Sequence, residues 1–303
     1  MNRREFMNRL ESCLICIDRS EREGALRYYE EYFDDAGPER EAEIISSLGS
    51  PERLAREIIA QAGNGARDAE TTASFGPSPD EFHSIKADIV NANVSIIKGG
   101  EWRIDINYPD ERVKPEISLS NGVLRINEEH QRFGNLFRVG GWKPGRIDIT
   151  VPNVHFRRFD IDGVNGAITV RDIELDTLKC TTVNGSLEFS GVRADTIHGE
   201  SVNGGVSITS CRAKTVCKGE TVNGGVTLGG ELRGEISAET VNGTLRISTS
   251  LPITEYNIDV ENVSGSVRID GEKHRKEIHI MHGAQNRIKA EAVNGSISLN
   301  FAI

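Results

Sequence analysis

The sequence predicts a mainly β protein, in which a single-stranded β-solenoid of the β-helix or β-roll type follows a small all-α helical bundle. Three observations lead to this fold class. Apolar residues recur with a helical period up to about residue 62 and with a period of two from about residue 82 onward. A Val-Asn-Gly unit occurs six times at nearly constant spacing. Glycine is abundant, with 31 residues, whereas aromatic residues make up 6% of the chain, which is typical of a chain that turns often.

Residues 1–62 are predicted to form four short helices that pack as a docking bundle. Capping residues and Gly-Pro or Ser-Pro pairs separate the helices. Their apolar stripes are Phe6, Leu10, Cys13, Leu14 and Ile17; Leu26, Tyr29 and Phe33; Ile44, Ile45 and Leu48; and Leu54, Ile58 and Ile59. Residues 63–81 are predicted to be a flexible linker, because they are rich in Gly, Ala, Ser, Thr and Pro and have no periodicity.

Residues 82–303 are predicted to form a repetitive β domain. Alternating apolar residues first predict strands at 104–106, 117–119, 123–126 and 147–151. The repeat then becomes explicit, and its corner residues are Asn165 and Gly166, Asn184 and Gly185, Asn203 and Gly204, Asn223 and Gly224, Asn242 and Gly243, the variant Ser264 and Gly265, and Asn294 and Gly295. Successive corners are 19, 19, 20, 19, 22 and 30 residues apart.

Each repeat has apolar residues at the same offsets from its corner: six residues before the Asn, and three and five residues after it. This pattern predicts strand, corner and strand in every unit, with the apolar faces buried by stacking of successive units. Asn and Gly suit the left-handed backbone of a sharp corner. Asn-Gly also occurs in two-residue hairpins, so a sandwich of hairpins is the alternative. The final spacings of 22 and 30 predict a longer hairpin around residues 271–283 that caps the domain.

Carboxylates recur three residues before the corners, at Asp162, Glu200, Glu220, Glu239, Glu261 and Glu291, with Thr181 at the equivalent place in one repeat. If the units stack, these side chains form a column with about 5 Å between neighbours, and like charges at that distance repel. The column is then either an interaction surface for cations or a cationic polymer, or a solvated face that discourages edge-to-edge aggregation.

Motifs for catalysis, cofactor binding or metal binding are weak in this sequence. Cys13 and Cys16 form a C-x-x-C string, but it lies within a predicted helix and is better explained by core packing. The seven histidines include no H-E-x-x-H motif, and we expect them at the surface. Parallel β-helices often carry carbohydrate-cleaving sites, but only residues 127–145 and 271–287 offer loops for one. We therefore predict no enzyme, no cofactor and no catalytic or metal-binding residues.

The net charge of −10 and the pI of about 5.3 argue against direct binding of nucleic acid, which requires clustered Lys and Arg. No segment has the composition of a secretory signal or the length of a transmembrane helix. Five cysteines at irregular spacing are more typical of reduced thiols than of a disulfide framework. We therefore expect a cytoplasmic protein, with membrane association through partners left open.

Two known families resemble this sequence. Residues 4–10, 30–33 and 48–58, of which the last, LGSPERLAREI, is the most specific, resemble the HTH-associated α-helical signalling domain of Gram-positive bacteria. Residues from about 82 onward, with their V-[NS]-G corners, resemble a β-strand-repeat family of candidate adhesins whose function is unknown. Members with this head commonly have membrane spans between it and the β domain, whereas this sequence has a short polar linker.

The resemblance implies a non-enzymatic signalling or envelope-stress accessory protein of bacteria. Its head, residues 1–62, would dock a protein partner, either a PadR-like regulator or a second copy of the chain, and the solenoid would present a binding surface. A cell-surface adhesin or envelope-binding protein is the alternative, and a carbohydrate-active enzyme on a β-helix is a third. The resemblance supplies no catalytic residues.

Overall fold

The structure is a computed structural model that describes residues 3–14, 40–48, 73–75, 82–108, 114–128 and 144–302, with single residues and pairs between 22 and 55. These residues belong to two compact units. One contains residues 1–69, and the other contains residues 70–130 and 144–303.

The first unit is helical in its described residues. Helix α1 spans Arg3–Cys13 and helix α2 spans Glu41–Leu48, where the first and third predicted helices lie. The second and fourth predicted helices lie outside the described residues, apart from isolated positions. The buried core of this unit consists of Phe6, Met7, Leu10, Leu14, Tyr29, Phe33, Ile44, Leu54 and Ala55. Most of these residues belong to the predicted stripes, and the rings of Phe6 and Phe33 meet edge to face with 5.9 Å between centroids.

The second unit is a β domain, whose described residues form one sheet of 21 strands. The strands are β1 Ala73–Phe75, β2 Ser84–Lys98, β3 Arg103–Asn107, β4 Glu116–Ser120, β5 Val123–Asn127, β6 Gly145–Val151, β7 His155–Asn165, β8 Ile168–Arg171, β9 Glu174–Asn184, β10 Leu187–Ser190, β11 Arg193–Ser201, β12 Val206–Asn223, β13 Val226–Leu232, β14 Glu235–Asn242, β15 Leu245–Thr249, β16 Tyr256–Ser264, β17 Val267–Ile269, β18 Glu272–His274, β19 Glu277–Ile280, β20 Asn286–Asn294 and β21 Ile297–Asn300. A 3-10 turn at Ile253–Glu255 precedes β16.

The strands stack as coils in parallel register, which confirms a solenoid-like architecture and excludes the alternative of consecutive hairpins. Each coil contributes a longer strand before its corner and a shorter strand after it, and corner residues pair with corner residues, as Asn165 does with Asn184. The apolar residues six positions before the corners are all fully buried, namely Phe159, Leu178, Ile197, Cys217, Ile236, Ile258 and Ile288. They form one column of a core that is continuous along the domain.

The order of the coils differs from the order of the sequence. Strand β20 pairs with β14 on one side and with β16 on the other, so the last coil lies between two coils that precede it in sequence. The connection Ser250–Glu255 explains this exchange, because it is longer than the turns that join consecutive strands from β7 to β15 and carries the chain past one layer of the stack. The final coil then fills that layer. The spacing of 22 residues marks the irregularity in the sequence.

Antiparallel strands cover both ends of the parallel stack. At one end β18 pairs with β17 and β19 pairs with β16, so antiparallel strands cap the stack where the sequence predicts a capping hairpin around residues 271–283, and each pairs with a strand of the terminal coil. At the other end β4 pairs with β5, and β3 pairs with β6. Among the described strands, the covered ends leave no long parallel edge for pairing with another chain.

The sequence does not predict strand β1. Ala73–Phe75 lies within the segment 63–81, which the sequence predicts to be a flexible linker, yet it pairs with Ile104–Ile106 of β3. Three residues are too few to show a period, which is why the pattern misses this strand. The rest of the predicted linker lies outside the described residues.

A further coil precedes the first Val-Asn-Gly unit. Strand β2 passes through a corner at Asn91, which pairs with Asn165, although the following residue is Ala92 rather than glycine. The Glu128 carboxylate accepts hydrogen bonds from the backbone N–H groups of Val90 and Asn91, at 2.7 and 3.0 Å. Glu128 thereby satisfies two donors near this end of the stack.

The corner residues serve a different purpose from the one expected. None of the corner asparagines has a positive φ, and among the seven corner glycines only Gly166 and Gly265 do. Glycine is required because coils approach closely: a Cβ on Gly185 would overlap the carbonyl oxygen of Gly166, and the same clash occurs at every later corner. The backbone has no room for a side chain there.

The corner asparagines form a hydrogen-bonded ladder. Each amide donates from Nδ2 to Oδ1 of the asparagine in the adjacent coil, at 2.9–3.0 Å, from Asn294 through Asn242, Asn223, Asn203 and Asn184 to Asn165. Ser264 occupies the position in the coil beyond Asn294, where the ladder ends. A stacked amide ladder fixes the register between coils, because each side chain has its partner only when the corners align.

Buried hydroxyls stabilise the corners from inside. The residue two positions before the Asn points inward, and in three coils its hydroxyl donates to the corner glycine carbonyl of the adjacent coil: Ser201 to Gly185, Thr221 to Gly204 and Thr240 to Gly224, at 2.7–2.9 Å. The local motif in these coils is therefore Ser or Thr followed by Val-Asn-Gly, and the hydroxyl is as much a part of the corner as the amide.

The substitution Gly243→Ala should strongly destabilise the β domain. Its Cβ would overlap the carbonyl oxygen of Gly224, which is backbone and cannot rotate away. We expect a loss of about 3 kcal/mol or more, measured as a lower urea midpoint of the far-ultraviolet circular dichroism signal. Gly100→Ala is the matched control, because no atom lies within 4 Å of the place its Cβ would occupy, and it should change stability by less than about 0.5 kcal/mol. Equal midpoints for the two variants would contradict the close-packing explanation.

The terminal cap should loosen as pH rises above neutral. A hydrogen bond from the His279 ring to Asp259, 2.7 Å long, raises the pKa of His279 above its ordinary value of 6.5 and lowers that of Asp259 below 3.8. A raised histidine pKa contributes stability that is complete below 6.5 and is lost as pH rises through the folded value. The lowered pKa of Asp259 contributes stability that is lost only in acid.

Hydrogen exchange measures this effect directly. Amide protection in β19, corrected for intrinsic rates, should be lower at about pH 8.5 than at about pH 6. The dependence should disappear in His279→Gln and persist in His274→Gln, a control in the same hairpin. Protection that is independent of pH in the unmodified protein would contradict the assignment.

Candidate functional site

The outward side of the longer strands forms a wall on which equivalent residues align in columns. Counted back from each corner Asn, the residues one, three and five positions earlier face outward, because side chains alternate along a strand. We call these columns the valine ridge, the carboxylate column and the basic column. Each runs across the coils of the domain, with about 4.8 Å between layers.

The carboxylate column contains every acidic residue that the sequence singled out. The register places its members in the order Asp162, Thr181, Glu200, Glu220, Glu239, Glu291 and Glu261. Asp88 of β2 extends the column beyond Asp162, and the sequence pattern misses it because its coil lacks the Val-Asn-Gly motif. Thr181, the one uncharged member, donates a hydrogen bond to the Asp162 carboxylate and stabilises its negative charge.

The basic column lies beside the carboxylates and reduces their repulsion. Its stacked members from the third coil onward are Lys179, His198, Lys218, Ser237, Lys289 and Asp259. Lys218 contacts Glu220 at 2.7 Å, and Lys289 contacts Glu291 at 2.8 Å and Glu239 at 3.6 Å. Hydrogen bonds to Glu220 and Glu291 raise the pKa values of Lys218 and Lys289, respectively. The recurring Lys-x-Glu spacing is the signal in the sequence that could have identified this pairing.

The valine ridge consists of the outward-facing residues immediately before the corner asparagines. Apolar side chains in a strand ordinarily face the core, yet the seven valines of this row are 37–68% exposed: Val164, Val183, Val202, Val222, Val241, Val263 and Val293. The tertiary structure shows their direction, because the inward-facing residue before most of them is a small polar one, such as Thr182, Ser201 or Thr221. A continuous row of exposed β-branched side chains is an apolar patch of the kind that interaction sites contain.

An open cleft of about 520 Å³ lies at the end of the carboxylate column. Its lining includes Asp88, Asp162 and Glu128, but Glu128 is engaged with backbone N–H groups. Burial, and secondarily the Glu128 carboxylate, raises the pKa of Tyr108 far above its ordinary value. Glu128 is therefore held in structural contacts at this end of the column.

The cysteines of the β domain are buried thiols with raised pKa values. Cys180, Cys211 and Cys217 are buried and free. Burial raises the pKa of Cys211 to about 11 and those of Cys180 and Cys217 as well, so their thiols remain protonated near neutral pH. Cys13 is half-buried at the end of α1, and Cys16 lies outside the described residues. Within the described part of the chain, no helix is both long and apolar enough to cross a bilayer.

Comparison with protein families confirms both resemblances. The model of the Toastrack DUF4097 family matches residues 82–280, and the HAAS model matches residues 5–57. A search of curated proteins finds no match.

Solved structures of similar β proteins come from several bacteria. A candidate adhesin from Bacteroides fragilis is 14% identical, with a TM-score of 0.42, over 78% of this chain and 98% of that one. A candidate cell adhesion protein from Clostridium sporogenes is 14% identical, with a TM-score of 0.36, over 77% and 100%. A candidate lipid-binding protein from Parabacteroides distasonis is 13% identical, with a TM-score of 0.36, over 78% and 98%. Similarity at this level carries no conclusion about function.

The substitution Lys289→Met should expose repulsion within the carboxylate column. Lys289 lies between Glu239 and Glu291, and its removal leaves two stacked carboxylates without their shared cation. We expect a loss of about 0.5–1 kcal/mol in low salt that shrinks in about 1 M NaCl, measured by urea unfolding. Lys289→Arg keeps the charge and should retain stability. A deficit that salt does not reduce would show that packing, and not charge, explains the contact.

Proposed function

The chain belongs to the Toastrack DUF4097 family, and from this premise we propose that it is a non-enzymatic binding and scaffold protein. In this proposal the helical head docks a protein partner, and the wall of the solenoid presents a second contact surface. The protein would act in bacterial signalling or in the response to envelope stress, as its resemblance to a helical signalling domain implies.

The valine ridge is the observation that carries the proposal. Seven valines along one line of the wall are 37–68% exposed, and the adjacent column is acidic. Soluble proteins seldom leave a continuous apolar stripe uncovered unless it contacts a partner. The stripe is also rigid, because the asparagine ladder fixes the corners next to it. A rigid surface loses little conformational entropy on binding.

The arrangement of the β domain favours binding over catalysis. The inside of the described coils is occupied by buried apolar side chains, so a ligand would contact the outer surface. On that surface the carboxylates recur from layer to layer and several are paired with lysines, whereas glycoside cleavage needs one localised acid and base in a groove. The three buried thiols have raised pKa values and are poor nucleophiles.

The head is proposed to bind a PadR-like regulator or a second copy of the chain. Its described residues bury their own core, with Phe6, Leu10 and Phe33 nearly inaccessible. The polar face of α1, which includes Arg4 and Glu11, remains exposed and is available for a partner.

Affinity capture of the full-length protein from its host tests the two surfaces separately. The head variant Arg4→Glu with Glu11→Lys reverses two exposed charges and leaves the net charge unchanged. The ridge variant Val183→Thr, Val202→Thr and Val222→Thr keeps the β-branched shape but removes apolar surface. Val154→Thr, at an equally exposed valine outside the ridge, is the control for the ridge variant.

We expect the head variant to lose the regulator, or to lose self-association by light scattering, and the ridge variant to lose a different partner. If the same partners bind all variants equally, the assignment of both surfaces is wrong. If only the ridge variant changes recovery, the head does not dock, and binding by the solenoid alone favours the adhesin or envelope-binding alternative.

A polysaccharide panel tests the absence of catalysis. Incubation of the full-length protein with each polymer should release no new reducing ends or unsaturated products. Release from any polymer would overturn the non-enzymatic proposal and favour a carbohydrate-active enzyme.

A further inference from the structure

A metal-ligand geometry occurs where the basic and carboxylate columns meet at the centre of the wall. His198 and Glu200 face outward two residues apart on β11, and Glu220 lies directly beside Glu200 in the adjacent coil. One ligand atom from each of these three side chains lies within 4.8 Å of the others, and among the described residues this is the one such group of three.

His198 has no hydrogen-bond partner for its Nε2 atom in this arrangement. That atom is buried and unpaired, and the nearest Glu220 oxygen, Oε2, is 3.6 Å away, too far for a hydrogen bond. A buried ring nitrogen without a partner is unfavourable unless another group satisfies it. Two other described histidines near carboxylates differ, since His155 and His279 each contact an aspartate oxygen at 2.7 Å.

The column position makes this histidine unusual. The equivalent residues in the coils on either side are Lys179 and Lys218, and a further coil has Lys289. Lys218 and Lys289 form short contacts with carboxylates, as a counterion does. At this position His198 offers a nitrogen ligand in place of a lysine ammonium group. The carboxylates on the same face offer oxygen ligands beside it.

From these contacts we infer that His198, Glu200 and Glu220 form a site for one divalent transition metal, of which zinc is the representative. Zinc binds one nitrogen and two carboxylate oxygens at about 2.0–2.2 Å in tetrahedral geometry, which places its ligand atoms about 3.4 Å apart. The separation of 3.6 Å between His198 Nε2 and Glu220 Oε2 is close to this value. Rotation of Glu200, an exposed side chain, brings the third ligand into place.

Lys218 supports the site and does not compete for it. Its ammonium group contacts Oε1 of Glu220, whereas Oε2 faces His198. Lys218 therefore leaves Oε2 available as a metal ligand. Contacts of this kind orient a carboxylate ligand. Glu239 is in contact with Lys289, so the local balance at the site is that of the Glu200 and Glu220 carboxylates against the one ammonium group of Lys218. The site therefore keeps an excess of negative charge, which favours a bound cation.

The nitrogen ligand decides the class of metal. Calcium and magnesium prefer sites built only from oxygen, whereas an imidazole with carboxylates suits zinc, manganese, iron, cobalt or nickel. With three protein ligands, a tetrahedral ion keeps one open position on the outer surface, where a side chain or carboxylate of a partner could bind. This inference stands apart from the docking functions proposed above.

Titration of the full-length, chelator-treated and tag-free protein with zinc alone tests the site. We expect one equivalent of zinc bound by calorimetry that is lost, or weakened at least 100-fold, in His198→Lys and in Glu200→Thr. These replacements are those that neighbouring coils already contain, Lys179 and Lys218 for the histidine and Thr181 for the glutamate, so folding should be retained. His155→Lys is the control and should bind zinc as the unmodified protein does.

Cobalt distinguishes this site from the thiols of the head. Cobalt in the proposed site should give visible absorption of a tetrahedral nitrogen and oxygen environment, without thiolate charge-transfer bands, and the signal should disappear in His198→Lys. Zinc should raise the unfolding midpoint of the unmodified protein and not that of His198→Lys. Equal zinc binding by the unmodified protein and His198→Lys, or thiolate bands as the only cobalt signal, would overturn the inference.

Discussion

The close stacking of coil corners is the constraint on which the rest of the structure depends. A Cβ at the corner glycines would overlap the carbonyl oxygen of the adjacent coil, so this spacing is possible only with glycine. The neighbouring asparagines donate along one line, and hydroxyls such as those of Ser201 and Thr240 satisfy the corner carbonyls from inside. Steric exclusion and hydrogen bonding thus fix one register, and every other column follows from it.

Strict alignment makes outward residues act collectively. A single exposed valine is ordinary on a protein surface, but alignment of the corners turns single valines into a continuous ridge. The same alignment stacks carboxylates at a distance where they repel, and the basic column compensates with contacts such as Lys289 between Glu239 and Glu291. Where histidine interrupts this compensation, at His198, the charge excess becomes available to a cation.

The two ends of the stack are under a different constraint, because the outermost parallel strands would expose unpaired backbone groups. Antiparallel strands cover both ends, and Glu128 satisfies two further donors near the first corner. The exchanged order of the last two coils also contributes to covering this end. Placing β20 between β14 and β16 leaves β16 beside the hairpin strand β19, which completes the cap.

The sequence by itself determined the coil, its corners, the buried columns and the capping hairpin, because these depend on local periodicity and turn chemistry. It also placed Glu200, Glu220 and Glu239 at equivalent positions, and in the structure they are neighbours in one column. Only the tertiary structure decided the order of the coils, since equivalent coils offer nearly the same edge and pairing between them is non-local. The outward direction of the valines, the pairing of β1 and the approach of His198 to two carboxylates were likewise decided by stacking, which brings together residues about 20 positions apart.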